Sequence, residues 1–160
     1  MFHGSALCEV DGDGNVALPG FVAEALRGSP DSGQLIVARH ETDPCLVGYG
    51  QNHLRTLRRR TERRRIADER VGRDPRGHHR RVRRSFGLVE PLARQSDRAQ
   101  LPAAMRHLGR IGARALFVGA GDNFEIWNPD LALESEDETL REITAWQIQA
   151  SGADMANGGH

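Results

Sequence analysis

The sequence predicts an α+β fold, mainly β, in which two related halves are joined by an arginine-rich helical segment and followed by a C-terminal helix. Three observations carry that expectation. The chain repeats itself: Asp11-Gly-Asp-Gly-Asn15-Val-Ala-Leu-Pro19, Leu35-Ile-Val-Ala38 and Leu46-Val-Gly-Tyr49 recur as Arg94-Gln-Ser-Asp-Arg98-Ala-Gln-Leu-Pro102, Leu116-Phe-Val-Gly119 and Phe124-Glu-Ile-Trp127. The repeated pieces are apolar runs of strand length punctuated by Gly, Asp and Pro, the signals of short strands and turns. The stretch between them is dense in arginine with a thin apolar stripe, which reads as a helix with a charged outer face. A repeat of about 80 residues is too long for one unit of a solenoid. It points to a single fold with a pseudo-twofold axis, in which any surface made by the motif loop occurs twice.

Taken in order, Gly4 to Val10 reads as a strand ending at the turn Asp11-Gly12-Asp13-Gly14. Val16-Ala-Leu18 returns as a second short strand. Pro19 suits a first helical turn, and Phe21, Val22, Ala25 and Leu26 follow at helical spacing. Gly28-Ser-Pro-Asp-Ser-Gly33 breaks that helix. Leu35–Ala38 and Cys45–Tyr49 are strands separated by a polar loop, so the unit is β-β-α-β-β, and the second copy reads the same way. Placing Pro19 on Pro102 aligns Asn15 with Arg98 and Val16 with Ala99; Leu35-Ile-Val falls on Leu116-Phe-Val, and Tyr49 on Trp127.

Leu54, Leu57 and Ile66 give the connecting helix, over about 51–70, its inner stripe. Gly72, Pro75 and Gly77 break it, and a second helix over 78–86 turns Val82 and Phe86 inward. Ser135-Glu-Asp-Glu138 has the pattern of a capping box opening a helix over about 136–149, with Leu140, Ile143 and Trp146 on its inner face. Residues 151–160 are Gly-rich and read as disordered. The resulting organisation is a first half at 3–51, an arginine-rich connection at 52–83, a second half at 84–130 and an acidic tail at 131–160.

Net charge is zero, but it is a sum of unlike blocks. Residues 54–84 carry fourteen arginines against four acids, a net +10, while 130–160 carry one arginine against seven acids, a net −6. A basic block between acidic ones marks a polyanion-binding surface, or else a pairing surface for acidic partners. All 22 basic side chains are arginine. Neither half buries enough apolar surface to stand alone, and the small apolar inventory suggests oligomerisation. Cys8 and Cys45 sit in strand-like apolar contexts and read as buried free thiols. No signal peptide opens the chain and no stretch is apolar enough to span a bilayer, so the expected location is the cytoplasm.

The opening Met1-Phe2-His3-Gly4, Val10-Asp11 with Leu18-Pro19, Asp43-Pro44-Cys45-Leu46, Phe86-Gly87 and the run Leu116–Trp127 together resemble the MraZ family, from Met1 to about Leu133. The resemblance implies two tandem AbrB-like swapped-hairpin halves and assembly into rings. It also implies a nucleoid-associated transcriptional regulator that binds direct repeats in the double-stranded promoter DNA of its own division and cell-wall gene cluster. The family's contact motif, Asp-x-x-x-Arg once per half, is altered here. The first copy, Asp11-Gly-Asp-Gly-Asn15, keeps the acid; the second, Arg94-Gln-Ser-Asp-Arg98, keeps the arginine. An arginine forks onto guanine O6 and N7, worth about 1–3 kcal/mol of discrimination, whereas asparagine suits adenine.

The candidate DNA-binding residues are therefore Arg98 and Arg94 in the second loop and Asn15 and Asp11 in the first. Arg58, Arg59, Arg60, Arg63, Arg64 and Arg65 would supply phosphate contacts, each releasing counterions. The bland reading of those arginines is a solvated helix face or intersubunit pairing. No phosphate-binding glycine loop, nucleophile elbow or metal spacing appears. Asp11–Asn15 fails as a calcium loop because Val16 and Val22 stand where an EF-hand needs glycine and glutamate. The reading thus expects no enzyme, metal, cofactor, small-molecule substrate or membrane partner. The alternatives are a degenerate ring-forming scaffold with weak non-specific DNA affinity and, less favoured, an antitoxin-like regulator.

Overall fold

The computed structural model describes residues 1–28 and 34–157, the side chains of 153–157 excepted. The first half comprises β1 (Ser5–Glu9), β2 (Asn15–Ala17), α1 (Gly20–Arg27), β3 (Leu35–Arg39) and β4 (Leu46–Gly50). The helices α2 (Gln51–Arg70) and α3 (Pro75–Phe86) follow. The second half runs β5 (Val89–Pro91), β6 (Ala93–Gln95), β7 (Arg98–Gln100), α4 (Ala103–Leu108), β8 (Arg114–Gly119) and β9 (Phe124–Trp127), then α5 (Pro129–Leu133) and α6 (Glu138–Asn157). The expected α+β class and the β-β-α-β-β unit are both present. In the second copy the first strand is interrupted at Leu92, giving β5 and β6.

Strand pairing makes the pseudo-symmetry explicit. A six-stranded antiparallel sheet has the order β1-β8-β9-β4-β3-β5, and a three-stranded sheet the order β2-β7-β6. The larger order reads alike from both ends once the halves are equated. Each half gives its first strand to the other: β1 pairs with β8, and β5 with β3. The axis passes through two residue pairs. In β4·β9, Val47 faces Glu125, flanked by Leu46↔Ile126 and Gly48↔Phe124. In β2·β7, Val16 faces Ala99, flanked by Asn15↔Gln100 and Ala17↔Arg98. Interlocked in this way, the halves share one core, so neither needs to be stable alone.

Alternation along the strands sorts side chains onto the two faces of the large sheet. Leu35, Val37, Leu46, Phe117, Phe124 and Ile126 pack inward with Val16, Ala99, Leu101 and Met105 under the small sheet and α1 and α4. The opposite face is covered twice. Ile36, Ala38 and Tyr49 lie against Leu54 and Leu57 of α2, while Leu116 and Trp127 lie with Ala132 and Leu140 of α5 and α6. The basic and acidic helical pairs thus occupy quasi-equivalent positions on one face. Pro19 and Pro102 precede α1 and α4 with matching backbone angles, φ −56°, ψ 150° and φ −59°, ψ 149°.

Several local expectations need correction. Ile36 faces Tyr49 and Leu116 faces Trp127, so Ile36, not Leu35, is the counterpart of Leu116. Pro75 starts α3 at 75 rather than 78, with Asp74 Oδ1 accepting from the Arg76 N–H at 3.0 Å. Gly77 lies within that helix. Ile66 is exposed because the far end of α2 extends past the apolar patch and packs on α3 instead. The C-terminal helix begins at Glu138, its cap being Asp137, whose Oδ1 accepts from the Thr139 N–H at 2.9 Å. Ser135 Oγ accepts only from Asp137, at 3.1 Å. Trp146 is 72% exposed, against the expectation that it lines the inner face. The helix turns Leu140, Thr144 and Gln147 toward the sheet instead; Thr144 Oγ donates to Leu140 O at 2.6 Å, and Gln147 Nε2 donates to Ser5 O at 3.2 Å. Residues 151–157, expected to be disordered, continue the helix, while 158–160 and most of the 28–33 break lie outside the described residues.

Candidate nucleic-acid interface

Each motif turn is held by the opposite half. The Leu18 N–H donates to Asp97 O at 2.7 Å, and the Leu101 N–H donates to Gly14 O at 2.8 Å. Arg106 on α4 donates through Nη1 to Gly12 O and through Nε to Leu101 O, both at 3.1 Å. Arg27 on α1 reaches Asp97 Oδ2 at 3.6 Å. Gly14 has φ +88°, and a Cβ there would fall 2.3 Å from Leu101 O, so this turn requires glycine. The second turn uses Ser96, at φ 56°.

Within the first turn Asp11 is the organiser. Its Oδ1 accepts from the Asp13 and Asn15 N–H groups, each at 2.9 Å, and its Oδ2 accepts from Asn15 Nδ2 at 3.0 Å. The Asn15 hydrogen bonds hold the Asp11 carboxyl below its ordinary range, and the charge of Arg98 adds a smaller contribution of the same sign. The acid kept by the first half and the arginine kept by the second therefore lie within electrostatic reach, across the pseudo-twofold axis.

The outer face of the small sheet follows from register. Val16 and Ala99 point into the core, and Arg94, paired with Ala99, shares that side and is half-buried. Asn15, Ala17, Gln95, Arg98 and Gln100 take the other side. Gln95, Arg98 and Gln100 are exposed, and Gln100 Nε2 donates to Asp13 O at 2.9 Å. Gln95 sits opposite Arg98 at the mouth of the second turn, as Asp11 sits opposite Asn15 at the first. The first turn is one residue longer, which places Gln95, rather than Arg94, in the position of Asp11. Sequence reasoning missed Gln95 and Gln100; strict alternation about the buried Ala99 was the signal that would have found them.

The structure does not bring the arginine block to this surface. The α2–α3 hairpin lies on the far face of the six-stranded sheet from β2-β7-β6. Arg58, Arg59, Arg63 and Arg64 are exposed there. Arg60 lies 3.9 Å from Asp122. Arg65 is engaged within its own helix, with Glu62 through Nε at 3.0 Å and with Glu69 through Nη1 at 2.6 Å. Arg81 reaches back from α3 to Asp68 of α2 at 3.0 Å and fastens the hairpin.

Among the described residues one group has metal-ligand character, His40, Cys45 and Glu125, with donor atoms mutually within 4.8 Å. Its hydrogen bonds already define a role. His40 Nδ1 accepts from the Thr42 and Asp43 N–H groups at 3.2 and 3.0 Å, leaving the proton on Nε2, which faces Glu125 Oε2 at 3.4 Å. Trp127 Nε1 donates to Glu125 Oε1 at 2.9 Å. A metal at Nε2 would displace that proton onto Nδ1, against two amide donors. Burial pushes the Cys8 thiol up to about 11 and moves Cys45 strongly the same way; both are free cysteines. No helix among the described residues is long and apolar enough to cross a membrane.

This chain is similar to curated proteins named transcriptional regulator MraZ. One, from Pseudomonas fluorescens strain Pf0-1, is 29% identical over 132 residues, covering 81% of this chain and 82% of the relative. Another, from Thioalkalivibrio sulfidiphilus, is 28% identical over 147 residues, 89% of each chain. No family model matches the sequence. The likeness supports a regulator of the MraZ type and matches the resemblance read from the motifs.

Proposed function

We propose that this chain is a sequence-specific DNA-binding transcriptional regulator of the MraZ type. It acts in the cytoplasm at the nucleoid, binding direct repeats in the promoter of its own division and cell-wall gene cluster as a ring of subunits. One observation carries the reading: Asn15, half-buried, and the exposed Gln95, Arg98 and Gln100 share the outer side of a short antiparallel sheet, drawn from both halves about one axis. Side-chain amides match adenine N6 and N7, a guanidinium matches guanine O6 and N7, and a β-ribbon fits the major groove. The similarity to MraZ proteins supports the same reading. Arg98 leads, with Asp11 holding Asn15 in place. Arg94 enters through the backbone and phosphates rather than the bases, given its half-buried side.

Ring assembly has a physical basis in the two helical pairs. They occupy quasi-equivalent positions and carry opposite charge, so the basic pair of one subunit complements the acidic pair of the next. Such a head-to-tail contact is heterologous and closes into a ring when its rotation permits. Arg58, Arg59, Arg60, Arg63 and Arg64 then serve the subunit contact, or phosphates that wrap to the far face. Repeated loops on repeated half-sites gain affinity through effective concentration. The ring-forming scaffold remains a second reading, favoured by the missing arginine at position 15. Titration against the protein's own upstream duplex and a scrambled duplex, at one fixed salt concentration, tests the choice. Equal affinity for both supports the scaffold.

A further inference from the structure

Between the arginine hairpin and the large sheet lies a cavity of about 220 Å³. It is larger than the roughly 150 Å³ engineered cavity that binds benzene. Val47 of β4 and Leu57 of α2 supply apolar walls, and His53 and Ser85 line the helical side. At the mouth stand Arg39, Arg60 and Arg84. Arg39 and Arg84 have no carboxylate partner among the described residues, and Arg60 has only the distant Asp122. Glu41, the carboxylate on the lining, accepts from Ser85 Oγ at 3.2 Å.

A second feature is independent of these charges. Tyr49, on the lining, is 1% exposed, and its hydroxyl is buried with no hydrogen-bond partner. An unsatisfied buried hydroxyl is a standing cost, and such groups in native structures call for an explanation. Its ring sits 5.0 Å from that of His53, which is itself buried. Burial and the nearby Arg60 charge hold His53 below its ordinary pKa. The other imidazole on the lining, His40, is paired with Glu125, which leaves the arginines as the cations open to an entering anion.

We propose that this cavity binds a small aromatic anion, a single ring bearing one carboxylate or phosphate group. The ring lies between Val47 and Leu57, the anion pairs with Arg84 and its neighbours, and the Tyr49 hydroxyl shifts to meet a polar substituent. Such a ligand bridges α2 and α3 to β3 and β4, giving the regulator an effector site on the face opposite the small sheet. The binding step does not depend on the DNA-binding reading and is measurable without DNA.

Calorimetry on the full chain with phenyl phosphate, benzoate, phenol and inorganic phosphate tests it. At least one of the two aromatic anions should bind at one site per chain, at least about tenfold more tightly than inorganic phosphate. The better of the two identifies the preferred anion. Arg84→Gln, an exposed change, should weaken it about tenfold or more through loss of a charge-assisted hydrogen bond, while Arg70→Gln, away from the cavity, leaves it unchanged. Tyr49→Phe should keep or raise the melting temperature and narrow any preference for hydroxylated rings such as salicylate over benzoate. No saturable binding of either aromatic anion up to about 10 mM overturns the proposal. So does inorganic phosphate binding as tightly as both, or equal weakening by Arg84→Gln and Arg70→Gln, since each means a diffuse arginine charge.

Discussion

At the scale of single residues, the His40–Glu125 contact ties the β3–β4 loop of the first half to β9 of the second, beside the pseudo-twofold axis. The Glu125 hydrogen bond raises the His40 pKa against the opposing effects of burial and of the amide donors at Nδ1. His40 and Trp127 together lower that of Glu125. The raised His40 contributes stability that is full below its unfolded value, about 6.5, and is lost as pH rises through its folded value. The lowered Glu125 contributes stability present above its unfolded value, about 4.3, and lost as pH falls through its folded value. The pair therefore stabilises most between about pH 4.5 and 6.5. Urea unfolding of wild type and Glu125→Gln across pH 4 to 9 should show the largest gap in that window, shrinking toward alkaline pH. A gap that does not change with pH contradicts the assignment. Asp11 was legible in the sequence as the acid of a motif. Its reach toward Arg98 was not, because that proximity arises only when the two hairpins interlock.

Among elements, β4 and β9 cross at the axis with no room to spare. A Cβ on Gly48 would stand 2.3 Å from the ring of Phe124, which is fully buried. Overpacking of this kind costs about 1–3 kcal/mol. Gly48→Ala should lower unfolding stability by that amount, whereas Gly12→Ala, with open space around it, should move it by less than about 0.5 kcal/mol. Equal effects in denaturant titrations would mean that β4 and β9 do not meet as described. Most elements were readable: α2 has the expected bounds, since Pro and Gly signals are local. The one-residue offset between β3 and β8 was not readable. Leu35-Ile-Val-Ala38 is buried on both faces, and a strand without alternation carries no register signal. On α6, Leu140, Ile143 and Trp146 compete with Leu140, Thr144 and Gln147 for the inner face. The second stripe faces the sheet, where Gln147 finds a partner in Ser5, while the buried Thr144 hydroxyl is satisfied within its own helix by Leu140 O. The short α5 was announced by Asn128-Pro129, a cap followed by an N1 proline, which hydrophobic spacing alone overlooks.

For the whole molecule, two features of the surface point to assembly. Trp146 stands exposed on the acidic helical pair, and the same pair borders a groove lined by the apolar Leu131, Leu140 and Trp127 and the acidic Glu134, Glu136 and Asp137. The arginine hairpin offers the complementary charge in a quasi-equivalent place. Sedimentation velocity at micromolar concentration and low salt should show a species several times 17.7 kDa. About 1 M salt, where the Debye length falls to about 3 Å, should shift it toward smaller species, and Trp146→Ala should do the same. A monomer at low salt contradicts this account of the helical pairs and removes the avidity argument.

The central claim is that the outer face of the small sheet reads DNA, and the altered motif provides its most direct test. Affinity for the protein's own upstream duplex and for a scrambled duplex should be measured for wild type, Arg98→Ala and Asn15→Arg, at one salt concentration. Position 98 is exposed, so Arg98→Ala should move stability by less than about 0.5 kcal/mol. Asn15→Arg gives up the Asn15 Nδ2 hydrogen bond to Asp11, so its unfolding is measured beside its binding to show that the folded protein is being compared. Arg98→Ala should reduce the ratio of the two affinities by about 1–3 kcal/mol, the worth of a bidentate guanine contact. Asn15→Arg, with Asp11 in place to orient the new guanidinium, should increase it. If wild type shows no preference, or if the ratio is unchanged in both variants, this sheet does not read sequence and the regulator reading fails in favour of the scaffold.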